Sequence, residues 1–544
     1  MGALGFINPF DELAGPDRRL GRKVANYGLV AALLEHGTAE EFHFFLPFAG
    51  AARPFEQVYA PWLKRPGMKE RVRLIHAAAL PAFLANTDYL AFHAGELDRY
   101  FPELCHLRNQ RAKNPFPITC TTHTLSYWST QVRHLYKVLP GPRAYDAVFC
   151  TSKAASDHLA RAFKYCADGL AALGLKPAGY AGRLEVVPLG VVAAEFGGLT
   201  RTEAQHKLGL KPGGVTLLCL GRLTVSDKFD LKPLLGAVSL LAKDFDLRLI
   251  LAGADAGGYG QSLLKTAAAL GIEKQVHLFP DFDTALKPAL YAAADVFVSP
   301  ADNLQETFGL SILEAMAAGL PVLASDFSGY RDLVKEGETG FLIPTLGPAD
   351  FGELDAAWPV LAEHIAALQA AQRTALDLDL LLERLTRLAA SEGLRQKMGK
   401  AGRQRVLSHF DWPVVVRRME GLWQELSGQA RAAKGQPPAR DVLEAGLGPL
   451  FGHFFSGTLL PSDAVCPGPL AALFGQGAWA RPPHPDLALA LPTEGLALIL
   501  KAVSHLGGRA TIAQLRQTLA GRMPPISVEH LVLHGLKYGL FSRK

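Results

Sequence analysis

The feature that most constrains this chain is an alternation of short apolar strands with helices, which occurs twice in succession. In the first series, strands are predicted at Asp88–Phe92, Ile118–Cys120, Ala147–Cys150 and Leu184–Val187. From Val215 the same alternation resumes, with strands predicted at Val215–Leu220, Leu247–Leu251, Val276–Phe279, Val296–Val298, Pro321–Ala324 and Gly340–Ile343. The intervening helices are predicted at Leu231–Lys243, Gln261–Leu270 and Ser311–Ala318. Two such series predict an α/β fold with two doubly wound, Rossmann-like domains that face a ligand cleft.

The domain boundaries follow from changes in pattern along the 544 residues. A chain of this length exceeds the roughly 250–300 residues at which a single hydrophobic core stops growing. We predict a first domain over residues 1–190 and a second over 191–427, whose end from Glu353 to Leu426 is almost wholly helical without a strand signal. A linker is predicted over 428–440 and a small accessory region over 441–544.

The end of the accessory region resembles a winged helix. Three amphipathic helices are predicted at Thr493–His505, Thr511–Leu519 and Ser527–Tyr538, and Gly539–Ser542 could begin a wing. The third helix offers only Lys537 as a cation and also carries Glu529, which is poor material for contacts with DNA. The pattern therefore favours recognition of a protein over that of nucleic acid. The alternative for this region is a packing or dimerising element.

Charge and cysteine content add only broad limits. The formal net charge of +5 lies in residues 428–544, with 11 Lys and Arg against 6 Asp and Glu, whereas residues 1–427 contain 45 of each. An anionic ligand of the two large domains must therefore be bound by local groups. No secretory or lipidation signal, membrane-spanning stretch or cysteine metal motif is visible, which favours a cytoplasmic protein with reduced cysteines. Cys105 stands beside His106, but neighbours in sequence need not point to the same place, so we expect no metal-binding or catalytic role for these two residues.

A pair of glutamates eight positions apart carries the strongest chemical signal. Glu306 precedes the predicted helix and Glu314 lies about two turns further on, with Gly309 at the junction of loop and helix. Carboxylates accept paired hydrogen bonds from sugar hydroxyls, and a helix start offers free N–H groups to a phosphate. The simpler interpretation is that the two glutamates merely flank a helix start.

A second loop supplies positive charge. The strand Val215–Leu220 runs into Gly221, and Arg222 and Lys228 follow within a few residues. Two cations beside a glycine that allows close approach could hold a diphosphate and neutralise its charge as it leaves. The alternative is an ordinary solvated loop with surface cations.

Taken in order, the motifs of residues 1–427 resemble those of the retaining GT-B glycosyltransferases of family four, also called glycosyl transferases group 1. The resemblance is carried by eight segments: Thr121–His123, Cys150–Lys153, Val187–Val191, Gly221–Lys228, Leu251–Gly253, Tyr291–Pro300, Glu306–Glu314 and Glu338–Leu342. It implies two Rossmann-like domains, the first on the acceptor side and the second binding the donor. The implied activity is transfer of a hexose from a nucleoside-diphosphate sugar to a hydroxyl acceptor, without a bound metal or cofactor.

The resemblance also implies roles for matching positions. Glu306 would contact the donor sugar and, with His123 beside the reacting sugar, form the catalytic pair. Glu314 would bind the ribose, and Arg222 with Lys228 the diphosphate. The other implied donor-binding residues are Gly221, Gly253, Phe308, Gly309 and Leu310, and the loop before the first helix adds Arg18 and Arg19 as further candidates. The acceptor could be a glycan, a lipid-linked molecule or a protein, and the accessory region could dock it or another protein partner.

Two departures and two alternatives accompany this interpretation. The linker signature Pro-Asn-Gly-Val-Asp of the family stands here as Pro-Leu-Gly-Val-Val at 188–192, which predicts a differently built hinge. The Gly-Gly turn that the family commonly shows near residue 15 is missing. A nucleotide-sugar epimerase shares the two-domain architecture, and a DNA-binding regulator with a degenerate glycosyltransferase body is the alternative from a different class.

Overall fold

The computed structural model describes residues 2–7, 21–138, 141–177, 179–433, 446–474, 484–487, 491–523 and 525–543. The chain forms two compact units. The first comprises Met1–Phe44, Tyr59–Arg73 and Asn86–Ala439, and the second comprises Phe45–Val58, Leu74–Ala85 and Arg440–Lys544. The predicted accessory region thus shares a compact unit with two short segments that the sequence assigns to the first domain.

The first sheet has seven strands in the order β3-β2-β1-β4-β5-β6-β7. Strand β4 pairs in parallel with β1 and β5, and β6 pairs in parallel with β5 and β7. The strands are β1 (Ala3–Ile7), β2 (Phe42–Leu46), β3 (Val72–His76), β4 (Tyr89–Ala94), β5 (Ile118–Thr121), β6 (Ala147–Cys150) and β7 (Arg183–Val186). The helices of this part are α1 (Gly21–His36), α2 (Ala52–Val58), α3 (Ala60–Leu63), α4 (Met68–Arg71), α5 (Leu80–Asn86), α6 (Phe101–Arg111), α7 (Trp128–Val138) and α8 (Lys153–Ala172).

The second sheet has six parallel strands in the order β10-β9-β8-β11-β12-β13. They are β8 (Val215–Leu220), β9 (Leu247–Gly253), β10 (Val276–Pro280), β11 (Val296–Ser299), β12 (Val322–Ser325) and β13 (Gly340–Ile343). The helices around it are α9 (Arg201–Lys207), α10 (Lys232–Leu241), α11 (Tyr259–Ala269), α12 (Lys287–Ala292), α13 (Leu310–Ala317) and α14 (Tyr330–Leu333). Both sheets reverse their strand order once, as a doubly wound fold does.

The apolar runs of the second sheet bury side chains on both of its faces. Along β8, Leu218 and Leu220 enter one hydrophobic cluster, whereas Leu217 and Cys219 enter another. Successive side chains of a strand point to opposite faces, so a strand covered on both sides needs an unbroken apolar run. This pattern is the reason that the predicted strands of this sheet are confirmed to within two residues at each end.

Within the two Rossmann-like domains, three strands and one small hairpin were not predicted from the sequence. Strands β1, β2 and β3 lie before Asp88, where no strand was predicted. Residues 353–426 were expected to lack strands, but β14 (Thr345–Leu346) pairs antiparallel with β15 (Ala375–Leu376). The remaining helices of this stretch are α15 (Glu353–Ala357), α16 (Glu363–Ala371), α17 (Leu378–Ala390), α18 (Glu392–His409) and α19 (Trp412–Ala432).

Helix α19 returns the chain to the first sheet. The indole N–H of fully buried Trp423 donates a hydrogen bond to the Thr119 hydroxyl of β5 at 2.9 Å. The helix extends to Ala432 and buries Ala430, so the first residues of the predicted linker are helical, while residues 434–445 lie outside the described residues. The helix therefore continues about one turn past residue 428, where the linker was predicted to begin.

The hinge between the two sheets is held by the start of α19. The Val191 N–H donates to the Phe410 carbonyl at 2.9 Å, and the Ala193 N–H donates to the Asp411 carboxylate at 3.1 Å. Gly190 lies so close to Trp412 that a Cβ there would approach the indole to 2.5 Å. The Asp411 carboxylate, directly before α19, therefore contacts the residue that follows segment 188–192, in which the sequence lacks the polar residues of the family signature.

The second unit contains a small antiparallel sheet and four helices among its described C-terminal residues. The strands β16 (Ala464–Pro467), β17 (Ala510–Thr511) and β18 (Phe541–Arg543) lie in the order β17-β16-β18. The helices are α20 (Leu447–Phe451), α21 (Thr493–His505), α22 (Ile512–Thr518) and α23 (Pro525–Lys537), so the three predicted helices are confirmed. Within this unit, Asp486 contacts His76 at 3.3 Å and accepts a hydrogen bond from the Ala49 N–H. The winged-helix assignment stays a prediction.

Candidate functional site

Two loops that carry predicted site residues meet where the second sheet reverses its strand order. Strands β8 and β11 are neighbours there, and Gly221–Lys228 follows β8 while the loop with Glu306 follows β11. In open α/β sheets, ligands bind at the carboxyl ends of the strands on either side of such a reversal. The topology therefore explains why residues 78 positions apart in sequence come together.

Lys228 and Glu306 form an ion pair at this edge, with side chains only 16% and 9% exposed. The Tyr330 hydroxyl donates to the same carboxylate at 3.1 Å, and the Phe308 N–H donates to it at 3.2 Å. Burial raises the pKa of Glu306, but the Lys228 charge and these hydrogen bonds outweigh burial, so that the pKa lies below its ordinary value. Glu306 is therefore an ionised acceptor of hydrogen bonds at neutral pH.

A second lysine–glutamate pair joins helices α12 and α13. Lys287, the first residue of α12, pairs with Glu314 of α13, and the Tyr291 hydroxyl donates to the same carboxylate at 2.7 Å. Sequence reasoning missed Lys287. Its position in the sequence could have indicated a place in the site, because Lys287-Pro288 opens a helix soon after the end of β10, at the same sheet edge as the other site loops.

Helix α13 begins between the two pairs. Gly309 stands directly before it with φ +112°, and a Cβ at this position would lie 2.6 Å from a ring carbon of Tyr330. Glycine is thus required both by the backbone conformation and by the close approach. The free N–H groups of the first turn and the helix dipole give this end a positive potential. Phe308, Gly309, Leu310 and Ser311 all line the adjacent cavity.

The cavity has a volume of about 420 Å³ and is lined by residues that follow strands of both sheets. The second sheet contributes Gly221, Arg222, Lys228, Lys287, Glu306 and Glu314. The first sheet contributes Arg22, Glu96, Asp98, His123 and Tyr127. The cavity thus contains most of the predicted site residues in one cleft between the two Rossmann-like domains, as the sequence predicts.

The wall of the cleft from the first sheet contains two carboxylates, each paired with a cation. Arg22 forms an ion pair with Glu96, and burial raises the pKa of Glu96 although the Arg22 charge opposes it. Asp98 accepts a hydrogen bond from the Thr130 hydroxyl at 2.6 Å and forms an ion pair with the buried Lys137 at 3.2 Å. Two carboxylates are therefore fixed opposite the cationic loop of the second sheet.

His123 follows β5 and links the two walls. Its Nε2 lies 2.8 Å from the Gly95 carbonyl oxygen, which can only accept, so Nε2 carries the proton. Burial lowers the pKa of His123 to about 4, against the opposing effect of the Gly95 hydrogen bond, so that the ring is neutral at neutral pH. The Thr307 hydroxyl donates to the His123 carbonyl at 2.8 Å, which ties the loop of Glu306 to the loop of His123.

Of the remaining predicted site residues, one lines the cleft, one does not line it, and two lie outside the described residues. Arg222 lines the cleft with a side chain 31% exposed, 3.6 Å from the Asp227 carboxylate. Gly253 is not among the lining residues, and a Cβ there would lie 1.7 Å from the Gly221 carbonyl oxygen. Gly253 therefore affects the site only indirectly, because its lack of a side chain allows the Gly221 loop to pack against the end of β9. Arg18 and Arg19 lie outside the described residues.

Three further features of the described residues concern metal binding, membrane spans and cysteine reactivity. Among them, no cluster of three or more His, Cys, Asp or Glu side chains is arranged to hold a metal ion. The part of the chain that is described contains no helix long and apolar enough to cross a membrane. Cys105 is buried with its thiol 3.6 Å from the Asp146 carboxylate, and burial raises the pKa of that thiol. A buried thiol of raised pKa is unreactive, which speaks against the Cys105–His106 couple.

Comparisons with known proteins find similarity to part of the second domain. Residues 200–354 match the family described as Glycosyl transferases group 1. The chain is 38% identical over 176 residues to a D-inositol 3-phosphate glycosyltransferase of Geodermatophilus obscurus and 33% identical over 176 residues to that of Nocardia farcinica. Each match covers 31% of this chain and 38% of the relative. The chain therefore spans well under half the length of the curated relatives that it matches.

Solved structures extend the likeness to both domains. The fold is similar to that of sucrose-phosphate synthase from Thermosynechococcus elongatus, with TM-score 0.53, 20% identity and coverage of 79% of this chain and 100% of that one. It is equally similar to Anabaena HepE in complex with UDP, with TM-score 0.53, 15% identity and coverage of 78% and 100%. The protein thus has a GT-B fold of two facing Rossmann-like domains. Within that fold, residues 200–354 are similar to the glycosyl transferases group 1 family.

Proposed function

We propose that the protein transfers a hexose from a nucleoside-diphosphate sugar to a hydroxyl acceptor, with retention of configuration and without a metal ion. The observation that carries the proposal is the pair of lysine–glutamate contacts on either side of the start of α13, in one cleft with Arg222 and His123. Such a cleft offers cations to a diphosphate and ionised carboxylates to sugar hydroxyls.

In the proposed complex the diphosphate binds at the positive end of the cleft. Lys228, Arg222 and the first-turn N–H groups of α13 would neutralise its charge as the bond to the anomeric carbon breaks. Both lysines already pair with a glutamate, so the donor would share them with those carboxylates. The likeness to Anabaena HepE, whose structure was solved in complex with UDP, supports a nucleoside diphosphate as the ligand.

The carboxylates would fix the sugars of the donor. Glu306, held ionised by Lys228, would accept hydrogen bonds from the hexose, and Glu314 would do so from the ribose. The new bond forms between the acceptor oxygen and the anomeric carbon on the face from which the diphosphate leaves. The acceptor proton passes to the departing phosphate oxygen, so no protein nucleophile is required, and the enzyme contributes position and electrostatics.

His123 would act through position in this scheme. Its neutral ring is anchored to the Gly95 carbonyl, and its own carbonyl is bonded to Thr307 of the loop that carries Glu306. The acceptor would enter along the wall of Glu96 and Asp98, whose carboxylates can accept hydrogen bonds from its hydroxyl groups.

The test is a binding and turnover assay on the full chain. Uridine, guanosine and adenosine diphosphates and their hexose conjugates are screened by thermal shift, and the best donor is then followed for release of free diphosphate. We expect one base to stabilise the protein, and we expect release that is unchanged by excess EDTA. Loss of release in EDTA would contradict the metal-free scheme, and isomerised donor instead of released diphosphate would favour an epimerase.

For residues 441–544 we propose docking of a protein or peptide partner, in line with the basic net charge of residues 428–544. A deletion after Gly428 would cut through α19 and remove its buried residue Ala430, so the structure calls for a cut after Ala433. Loss of transfer to the acceptor with retained donor hydrolysis supports docking, whereas equal loss of both points to a packing role.

A further inference from the structure

Each of the two glutamates of the cleft is held by a tyrosine as well as by its lysine. The Tyr330 hydroxyl contacts Glu306, and the Tyr291 hydroxyl contacts Glu314. Both glutamates and both lysines line the cleft, whereas neither of the two tyrosines is among its lining residues. Both tyrosines are fully buried. A ligand in the cleft would therefore meet the carboxylates but not the tyrosine hydroxyls that hold them.

The direction of the hydrogen bonds around Tyr330 follows from the chemistry of its neighbours. An ionised carboxylate can only accept, so the Tyr330 hydroxyl donates its single proton to Glu306 at 3.1 Å. Its oxygen then accepts from the Ser299 hydroxyl, 2.7 Å away. Burial raises the pKa of Tyr330, and the Glu306 charge raises it further, so the hydroxyl keeps its proton. Because Ser299 ends β11 and Tyr330 begins α14, two regular elements support this donor.

The contacts of Glu306 are divided unevenly between its two oxygens. Oε2 accepts from both Lys228 and Tyr330, which uses both of its lone pairs. Oε1 accepts from the Phe308 N–H at 3.2 Å and has room for one further hydrogen bond, such as one from a sugar hydroxyl in the cleft. A lysine is a point charge on a flexible stem, so Lys228 alone would not fix the plane of the carboxylate. The Tyr330 hydroxyl supplies the second, rigid contact to Oε2.

Glu314 has a similar arrangement. Lys287 contacts its Oε1, and the Tyr291 hydroxyl donates to its Oε2 at 2.7 Å. The same hydroxyl lies 3.2 Å from the Ser311 carbonyl oxygen, but the shorter contact to the charged acceptor is the stronger one. Burial raises the pKa of Tyr291, and the Glu314 charge adds to this effect, so this hydroxyl also keeps its proton. Tyr291 thus fixes one oxygen of Glu314 from α12.

We propose that Tyr330 and Tyr291 are positioning residues, which orient Glu306 toward the hexose and Glu314 toward the ribose of the donor. Neither tyrosine touches the donor, and each acts through its carboxylate. The two assignments rest on the proposed glycosyl transfer, whereas the hydrogen bonds that hold the carboxylates do not. The hold on Glu306 is therefore tested first, without a ligand.

The ligand-free test is urea denaturation of the full chain with Tyr330→Phe, alone and combined with Glu306→Gln. A hydrogen bond to a charged group is roughly twice as strong as one between neutral groups. Tyr330→Phe should therefore lower the free energy of unfolding more in the unmodified protein than in Glu306→Gln, by a factor of up to about two. The control Tyr89→Phe removes a buried hydroxyl that contacts His43 at 3.0 Å in the first sheet, and its cost should be the same in both backgrounds. Equal costs of Tyr330→Phe in the two backgrounds overturn the proposal.

The assignments to hexose and ribose are tested by calorimetry with UDP and UDP-glucose, or with the matching pair for the base that the nucleotide screen selects. UDP contains the ribose but no hexose. Tyr330→Phe should bind UDP-glucose roughly 3- to 10-fold more weakly, the contribution of about one hydrogen bond, and should bind UDP as the unmodified protein does. Tyr291→Phe should bind both nucleotides more weakly by equal factors. Tyr89→Phe, whose side chain does not line the cleft, should change neither affinity.

The two nucleotides separate positioning from a merely structural role. A structural disturbance in Tyr330→Phe would weaken UDP and UDP-glucose alike, and that result overturns its assignment to the hexose, as unchanged affinities also do. Loss of UDP-glucose affinity alone in Tyr291→Phe overturns the assignment to the ribose. In turnover of UDP-glucose, kcat/KM should fall in Tyr330→Phe while the inhibition constant of UDP stays constant. If no nucleotide of the screen binds the unmodified protein, the proposed glycosyl transfer is contradicted and both assignments fall with it, whereas unequal costs in urea still support the hold on Glu306.

Discussion

The ion pair of Lys228 and Glu306 makes the ligand-free site sensitive to the loss of either partner. Both side chains are largely buried, at 16% and 9% exposure. Removal of one partner from a buried pair typically costs about 3–5 kcal/mol, because the other charge is left without compensation. At roughly 2–4 °C per kcal/mol for a domain of this size, Glu306→Gln and Lys228→Met should each lower Tm by roughly 6–20 °C.

The two variants should respond in opposite ways to UDP, provided that the screen identifies uridine as the base. Saturation at about 100 times Kd stabilises a protein by about 2.7 kcal/mol. In Glu306→Gln the diphosphate can pair with Lys228, whose charge is otherwise uncompensated. UDP should therefore bind about tenfold more tightly. This corresponds to about 1.4 kcal/mol, a part of the free energy lost when the ion pair is broken. In Lys228→Met a charged hydrogen bond worth about 1.5–3 kcal/mol is lost, so UDP should bind roughly 10- to 150-fold more weakly.

The assay is thermal denaturation with a titration of UDP, and Lys232→Met provides the control. Lys232 is exposed and is not among the residues that line the cleft. We expect the control to match the unmodified protein in both Tm and UDP shift. An equal UDP shift in Lys228→Met and the unmodified protein, or a smaller shift in Glu306→Gln, would refute the reasoning.

Two further predictions concern stability. Gly253→Ala would place a Cβ 1.7 Å from the Gly221 carbonyl oxygen at φ +156°, so it should cost about 3 kcal/mol or more in chemical denaturation, whereas Gly236→Ala in α10 meets no atom and should be neutral or stabilising by up to about 1 kcal/mol. Burial, with help from the Asp230 charge, raises the pKa of Asp302 to about 7, so the folded protein holds a proton that the unfolded chain releases near pH 4. Stability should therefore fall as pH rises from about 4 to 7, and Asp302→Asn should be more stable than the unmodified protein at pH 8, by on the order of 1–3 kcal/mol, with the gain vanishing near pH 4. A gain that is the same at both pH values would contradict this assignment.

The sequence predicts those parts of the fold in which burial on both faces demands unbroken apolar runs. Strands such as Val215–Leu220 and Gly340–Ile343 coincide with their predicted bounds for this reason. The β14–β15 hairpin has strands of two residues each, which are too short to produce any periodicity. The shared unit of Phe45–Val58 and Leu74–Ala85 with the C-terminal region is a tertiary contact, and nothing local in the sequence encodes it.

The site could be predicted where residues that bind the same ligand lie close together in the sequence. The spacing of Glu306 and Glu314 and the order of Gly221, Arg222 and Lys228 were sufficient to indicate the cleft. The pairing of each glutamate with its own lysine was not visible, because Lys287 lies on another helix and contacts Glu314 only in the folded protein.

The central claim is that the cleft transfers a hexose with retention from a nucleoside-diphosphate sugar. Its most direct test is proton NMR of the reaction of the full chain with the donor selected by the nucleotide screen. The account predicts release of the diphosphate and an anomeric proton in the product with the same configuration as in the donor, with both signals absent in Lys228→Met. A product of opposite configuration, or a donor that is isomerised without release of diphosphate, would contradict it.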